Sequence, residues 1–166
     1  MTKFLLSLHV LAAIIAIGPV TVAASMFPPS ARQALAEPGS ERAVSTVRLL
    51  HRICRVYAGI GIAVPVLGFA TASAMGVMGD PWLIVSVVLT VLAAIVLVVL
   101  VLPRQEAVLE GLGTEGADVE GAAGGTATVT DRKATVQLAM FTGVFNLLWT
   151  VVTVLMIVRP GSTTGA

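Results

Sequence analysis

Four long apolar runs constrain the fold of this chain more than any other feature of its sequence. They cover residues 4–26, 57–77, 82–102 and 138–158. None contains Asp, Glu, Lys or Arg, and each is close to the ~20 residues with which an α-helix crosses a ~30 Å hydrocarbon core. Backbone groups in lipid must bond within their own segment, so even the Val-rich third run is expected to be helical. The sequence therefore predicts an all-α bundle of four transmembrane helices.

The composition also favours a lipid bilayer as the environment. Of the 166 residues, 57% are hydrophobic and 11% are charged, whereas soluble domains contain about 45–50% apolar and about 25% charged residues. The formal net charge is +1 and the basic residues form no dense stripe, so we expect no nucleic-acid partner. The single cysteine, Cys54, excludes an internal disulfide framework and a Cys-based tetrahedral zinc site.

Turn and cap residues predict where the helices begin and end. Residues 78–81 contain Gly and Pro and join the second and third runs in a helical hairpin, with Trp82 at headgroup depth. The pair Pro28-Pro29 is expected to end the first helix. Ser40 is expected to be the N-cap of a helix that leads into the second span.

Two further prolines are expected to disturb the helices. Pro65 is expected to kink the second span, and Pro103 to close the third helix. Residues 111–125 form a Gly- and Ala-rich acidic linker without helical periodicity. The chain is thus one membrane domain with two long loops, residues 27–56 and 103–137.

The distribution of basic residues predicts the orientation. The side with both termini and the short hairpin loop holds Lys3 and Arg159. The side with both long loops holds the other eight: Arg32, Arg42, Arg48, Arg52, Arg55, Arg104, Arg132 and Lys133. Because cytoplasmic loops carry the excess of Lys and Arg, both termini are expected on the extracytoplasmic side.

The first run also has features of a secretory signal peptide. Lys3 precedes it, and Val22 and Ala24 match the spacing of a cleavage site. The run is long for the apolar region of a signal peptide, and the segment before it has Lys3 as its one basic side chain. We therefore expect this run to be retained as a membrane span.

His9 is the candidate for a metal site within the membrane. It shares one helix face with Ala13 and Ala16, and ionisable groups at membrane depth are functional candidates by default. Together with Met75 and Met78, which lie near the same outer face, it could hold a soft ion such as Cu(I). The alternative is a neutral His9 that bonds a neighbouring helix or interfacial water.

His51 lies near the opposite face of the membrane. Much of the ~30 Å bilayer separates it from His9, so a haem held by both histidines is not expected. Soft side chains near this inner face form a second possible ligand group: Met26, His51, Cys54 and Met140. Methionine in an apolar helix is usually a packing residue, and we expect no cofactor.

Small and polar residues predict how the helices pack. Gly68, Ala72 and Gly76 follow each other at four-residue spacing, which lets a neighbouring helix approach closely. A polar stripe on the fourth helix consists of Thr142, Asn146, Thr150 and Thr153. We interpret Asn146 and this stripe as hydrogen-bonding groups between helices. A permeation or ligand path along the stripe is the alternative.

The sequence lacks the residue sets that membrane enzymes and ion-coupled transporters use. The spans contain no Asp, Glu or Lys that could relay protons. No Gly-rich phosphate loop follows a strand, and no Ser, His and Asp share one membrane depth. We therefore expect no enzymatic activity.

Three short motifs carry a resemblance to known families. They are residues 3–13 around His9, residues 50–52 around His51, and residues 156–161 at the end of the fourth run. The chain resembles a bacterial family of predicted four-helix integral membrane proteins of unknown function. It is similar, more distantly, to the copper-resistance protein D membrane domain. The resemblance implies a four-helix bundle in which His9 and His51 are the positions to examine.

These features give two hypotheses about function. The first is a non-enzymatic accessory or scaffold subunit of a larger membrane complex, such as a respiratory or transport complex, in the bacterial cytoplasmic membrane. Its partners would be the lipid bilayer and either another membrane protein or further copies of the chain. The second is a small transporter or metal-handling protein that uses the outer group around His9.

Overall fold

The computed structural model describes residues 1–37, 39–114 and 127–161, and its regular elements there are all helices. They are α1 (Thr2–Ala36), α2 (Glu41–Ile60), α3 (Ala63–Met75), α4 (Pro81–Ile95), a π-helical segment (Val96–Val101), α5 (Leu102–Thr114) and α6 (Ala127–Val158). Four stretches are long and apolar enough to cross a membrane: Thr2–Ala36, Glu41–Met75, Pro81–Gly113 and Arg132–Val158. The predicted all-α, four-span architecture is confirmed.

Helix α1 does not end at Pro28 and Pro29 but continues to Ala36. Each proline removes one backbone donor and would normally break a helix. Here the extension buries a face of α1, including Phe27 and Ala31, in one apolar cluster with Val47 of α2, and this packing offsets the lost hydrogen bonds. The prediction that the proline pair ends the first helix is therefore wrong.

The second span is interrupted four residues before Pro65, where Gly61 and Ile62 separate α2 from α3. In a regular helix the N–H of residue 65 would donate to the carbonyl of Gly61, but proline has no N–H. The N–H of Val64 donates to that carbonyl instead, over 3.1 Å. The helical hydrogen bonds are thus irregular just before Pro65, while Gly61 and Ile62 keep right-handed helical dihedrals; the kink expected at Pro65 stays a prediction.

The third span does not end at Pro103 either, and α5 carries it on to Thr114. The turn before this proline is π-helical. A proline ring clashes with the carbonyl four residues earlier in a regular α-helix, and a wider π turn relieves that clash. The prediction of a helix end at Pro103 is wrong, and the predicted linker is helical at residues 111–114. Its residues 115–125 lie outside the described part of the chain.

The main core lies along α1, which contacts α2, α3 and α6. Ser40 caps α2 as expected, because its hydroxyl accepts a hydrogen bond from the N–H of Ala43 at 3.4 Å. At the opposite end of the bundle, the indole N–H of Trp82 donates to Asp80 at 2.9 Å. The guanidinium of Arg159 lies 5.8 Å above the Trp82 ring, so the α3–α4 turn and the end of α6 are held together.

Candidate functional site

His9 lies in the interior of the bundle and connects α1 to α3. Its side chain is 8% exposed, and its Nδ1 is 3.0 Å from the carbonyl oxygen of Val64. A carbonyl oxygen only accepts hydrogen bonds, so Nδ1 carries the proton that it donates. In the neutral ring this leaves the lone pair on Nε2. Two helices that are remote in sequence are thereby joined by a polar contact at membrane depth.

Gly68 leaves the space that the His9 ring occupies. A Cβ at Gly68 would lie 3.0 Å from Cε1 of His9, which is closer than side chains normally approach. One turn later, Ala72 is buried in a cluster with Trp82 and Leu83 of α4. The absence of larger side chains at positions 68 and 72 lets α3 approach its neighbours.

Gly76 has a different role from the packing role that its spacing suggested. It follows the last residue of α3 with φ at 71°, in the left-handed region that favours glycine. A Cβ there would meet nothing within 4 Å. Gly76 therefore ends the helix and does not extend the packing seam, which is a correction to the sequence interpretation.

The two methionines grouped with His9 lie farther along the chain toward the hairpin turn. Met75 is seven residues beyond Gly68 on α3, which is about 10 Å along the axis at ~1.5 Å per residue. Met78 lies in the turn after α3 and is 47% exposed. The described residues contain no group of three or more His, Cys, Asp or Glu side chains that could hold a metal. A soft-metal site at His9, Met75 and Met78 stays a prediction.

The polar stripe of α6 divides into two parts. The amide nitrogen of Asn146 donates to the hydroxyl of Ser25 on α1 at 3.0 Å. The Asn146 amide oxygen and the Thr142 hydroxyl are buried without a hydrogen-bond partner. Thr150 and Thr153 instead donate to carbonyls of their own helix, at 2.9 and 2.8 Å. Only the first part of the stripe therefore faces another helix.

A second polar cluster lies at the other end of the bundle and is centred on Gln105 of α5. The Gln105 side chain is fully buried. Its Oε1 is 3.1 Å from Nδ1 of His51, and its Nε2 donates to the sulfur of Cys54 at 3.6 Å. An amide oxygen only accepts, so Nδ1 of His51 is the donor. One glutamine thus bonds two side chains on the same face of α2.

Comparison with known proteins identifies a family for this chain. Residues 3–160 match the family described as "Predicted integral membrane protein (DUF2269)". The chain belongs to the DUF2269 family. No curated protein and no solved structure matches it significantly. The match covers all four candidate spans and establishes an integral membrane protein, so the lipid bilayer is its environment.

Sequence reasoning on this DUF2269 protein identified His51 and Cys54 but missed Gln105. Gln105 follows Pro103 by two residues, where the sequence pattern indicated the end of a helix. Because the helix continues, Gln105 turns inward and is completely buried. The sequence did contain one indication that a buried partner such as Gln105 exists. His51 and Cys54 share a helix face, and two polar side chains on a buried face need a hydrogen-bond partner.

Proposed function

We propose that this DUF2269 protein is a non-enzymatic accessory or scaffold subunit of a larger assembly in the bacterial cytoplasmic membrane. Both termini lie on the extracytoplasmic side. The Arg-rich ends of the helices extend into the cytoplasm and form the contact surface for a protein partner. We call this part of the molecule the helical extension and define it as residues 27–55 together with 103–114 and 132–137.

The lengths of the helices support this role. Helix α1 has 35 residues, or about 52 Å at ~1.5 Å per residue, while the hydrocarbon core is only ~30 Å thick. The third candidate span has 33 residues and is similarly too long. Tilting accommodates part of the excess, but the charged residues concentrate at one end of these helices. That end is therefore the one placed outside the lipid.

The helical extension is packed and not a set of separate helix ends. Ala34, Ala43 and Leu112, from three different helices, belong to the same buried cluster. A core that continues beyond the lipid gives a rigid surface, and rigid surfaces lose little conformational entropy on binding. This continuous core is the observation that carries the proposal. Helices that only emerged from the membrane would not need a shared apolar core beyond it.

The outer face of α2 combines charge with exposed apolar area. Arg48, Arg52 and Arg55 are exposed. Beside them on the same helix, Leu49 is 57% exposed and Val56 is 50% exposed. Arginine and large apolar side chains are common in the centres of protein interfaces. A membrane-protein partner or a second copy of the chain would cover this face.

Photo-crosslinking at one exposed position on each end of the bundle tests this role. A photoreactive residue at Leu49 is expected to crosslink to one defined partner in cells, because Leu49 lies on the proposed contact surface. The matched position is Ile84 of α4, which is 54% exposed and is expected to crosslink to lipid alone. Purification in mild detergent should recover the same partner with unmodified chain. A chain that always runs as a monomer and forms no protein crosslink from Leu49 would contradict the accessory role.

The proposed orientation predicts a labelling pattern in intact cells. Cysteines at Gly79 and Ser162 are expected to react with a membrane-impermeant maleimide, while cysteines at Thr46 and Gly124 react only after the cells are permeabilised. The native Cys54 is fully buried and contributes little background. Labelling of the second pair alone in intact cells would reverse the orientation.

A further inference from the structure

A cavity of about 170 Å³ lies between α1, α5 and α6 in the helical extension. A single water needs about 10–15 Å³ of such space, so the cavity is large enough for a small polar group. Its wall is formed mainly by apolar or small residues, including Leu35, Ala107 and Ala134, and by two polar side chains, Arg104 and Gln137. Ala107 and Gln137 are exposed, so the cavity opens at the molecular surface.

Among the residues that the structure describes, Arg104 is the only charged one that lines this cavity. Its guanidinium stacks on the Phe141 ring at 4.4 Å, and its Nη1 donates to the carbonyl of Leu100 at 3.0 Å. Within the described parts of the chain, no carboxylate forms an ion pair with it. A guanidinium has five N–H donors, and stacking uses its face while leaving the edge available. Arg104 therefore presents donors and a positive charge to the cavity that no carboxylate of the described residues pairs with.

The position of the cavity relative to the lipid suggests what its ligand is. Arg104 lies two residues beyond the apolar run that predicts the third span, and Gln137 lies one residue before the fourth. Gln137, Phe141 and Val144 are at positions i, i+4 and i+7 of α6 and share one face. Val144 is 41% exposed, so an apolar surface leads from the cavity toward the membrane centre. Lys133, one turn before Gln137, is exposed on the same face.

We propose that this cavity binds the phosphate headgroup of an anionic phospholipid. Arg104 and Gln137 donate hydrogen bonds to the phosphate oxygens, and one acyl chain lies along Phe141 and Val144. Basic pockets between helices at the cytoplasmic face commonly hold such headgroups. The carboxylates of α5, Glu106 and Glu110, do not line the cavity. The ligand is a component of the bilayer and not the proposed protein partner, but the inference rests on the proposed orientation, which puts this end of the bundle at the cytoplasmic face.

Thermal unfolding and native mass spectrometry of the detergent-solubilised chain test the lipid site. Phosphatidylglycerol is expected to raise the melting temperature and to remain bound in the mass spectrum, while phosphatidylcholine does neither. Arg104→Gln is expected to weaken phosphatidylglycerol binding about tenfold, which corresponds to ~1.4 kcal/mol. Lys3→Gln, which removes an exposed basic side chain at the opposite end of the bundle, is the control and should bind phosphatidylglycerol as the unmodified chain does.

A second variant separates ligand binding from folding. Gln137→Glu keeps the size of an exposed side chain but places a negative charge in the cavity wall, so it should also weaken binding of the anionic lipid without lowering the melting temperature of the lipid-free chain. Unchanged binding in both cavity variants would overturn the proposal. So would equal stabilisation by phosphatidylcholine. Inorganic phosphate is added as a further comparison. If it raises the melting temperature as phosphatidylglycerol does and prevents that lipid from binding, the site binds free phosphate and the lipid assignment is wrong.

Discussion

Replacing Gly68 by leucine is expected to lower the stability of the detergent-solubilised protein by about 1–3 kcal/mol, the usual cost of overpacking an interior. A Cβ at this position already lies 3.0 Å from the His9 ring, and leucine adds three more carbon atoms in the same direction. The ring cannot simply rotate away, because its Nδ1 is hydrogen-bonded to Val64. Helices α1 and α3 would therefore have to separate. A thermal unfolding curve measured in one detergent for both proteins gives the comparison.

Gly143→Leu is the matched control for this substitution. Gly143 also lies within a membrane span, but a Cβ there would meet nothing within 4 Å, so lipid can accommodate the new side chain. A double mutant gives a sharper test. In a His9→Ala background the cost of Gly68→Leu should largely disappear, since the atoms that it meets are gone. Equal costs for Gly68→Leu with and without His9 would show that the contact does not limit packing.

The four membrane spans could be predicted from sequence because hydropathy depends on composition alone. Runs of about 20 apolar residues have only one low-energy arrangement in lipid, and all four were found. The helix ends were harder to predict. Pro28 and Pro103 were expected to end helices, but α1 continues by burying Ala31 and Ala34. The third span continues through a π-helical turn. Both continuations depend on tertiary contacts that local sequence does not specify.

The polar contacts between helices could not be predicted for a related reason. His9 and Val64 are 55 residues apart, and His51 and Gln105 are 54 apart. Which side chains meet over such separations depends on helix rotation and vertical register. Sequence reasoning treated both histidines as positions of interest, and it included a neutral His9 bonded to a neighbouring helix as an alternative. It could not supply the carbonyl of Val64 as the partner, because every residue has a carbonyl.

The two histidines now have parallel structural roles. Each donates from Nδ1 to an oxygen on a different helix, His9 near the hairpin end of the bundle and His51 within the helical extension. Each contact lies beside a proline-associated irregularity. Val64 directly precedes Pro65, and Gln105 follows Pro103 by two residues. A proline disrupts the regular helical hydrogen bonds of its neighbours. The Val64 carbonyl and the Gln105 side chain therefore have directions that they would not have in an uninterrupted helix.

The buried Gln105 leads to the second large stability effect. Gln105→Met keeps an unbranched side chain of similar length, but its sulfur is at best a weak acceptor. The Nδ1–H of the half-buried His51 would then lose its partner. A fully buried donor without a partner typically costs about 1–3 kcal/mol, so a loss near the lower end of that range is expected. Gln33→Met is the matched control. Gln33 is an exposed glutamine of the same helical extension, and exposed substitutions usually stay within about 0.5 kcal/mol.

The cost of Gln105→Met should depend on His51, and that dependence distinguishes a lost hydrogen bond from a poorly fitting side chain. Replacing both partners by apolar residues of similar shape can be almost neutral, whereas replacing one leaves the other unsatisfied. The double mutant His51→Leu, Gln105→Met is therefore expected to melt closer to the unmodified protein than the sum of the two single effects predicts. Thermal unfolding of the four proteins in one detergent measures this coupling. Strictly additive losses would show that Gln105 stabilises the junction of α2 and α5 by its volume alone, and that the hydrogen bond to His51 contributes nothing measurable.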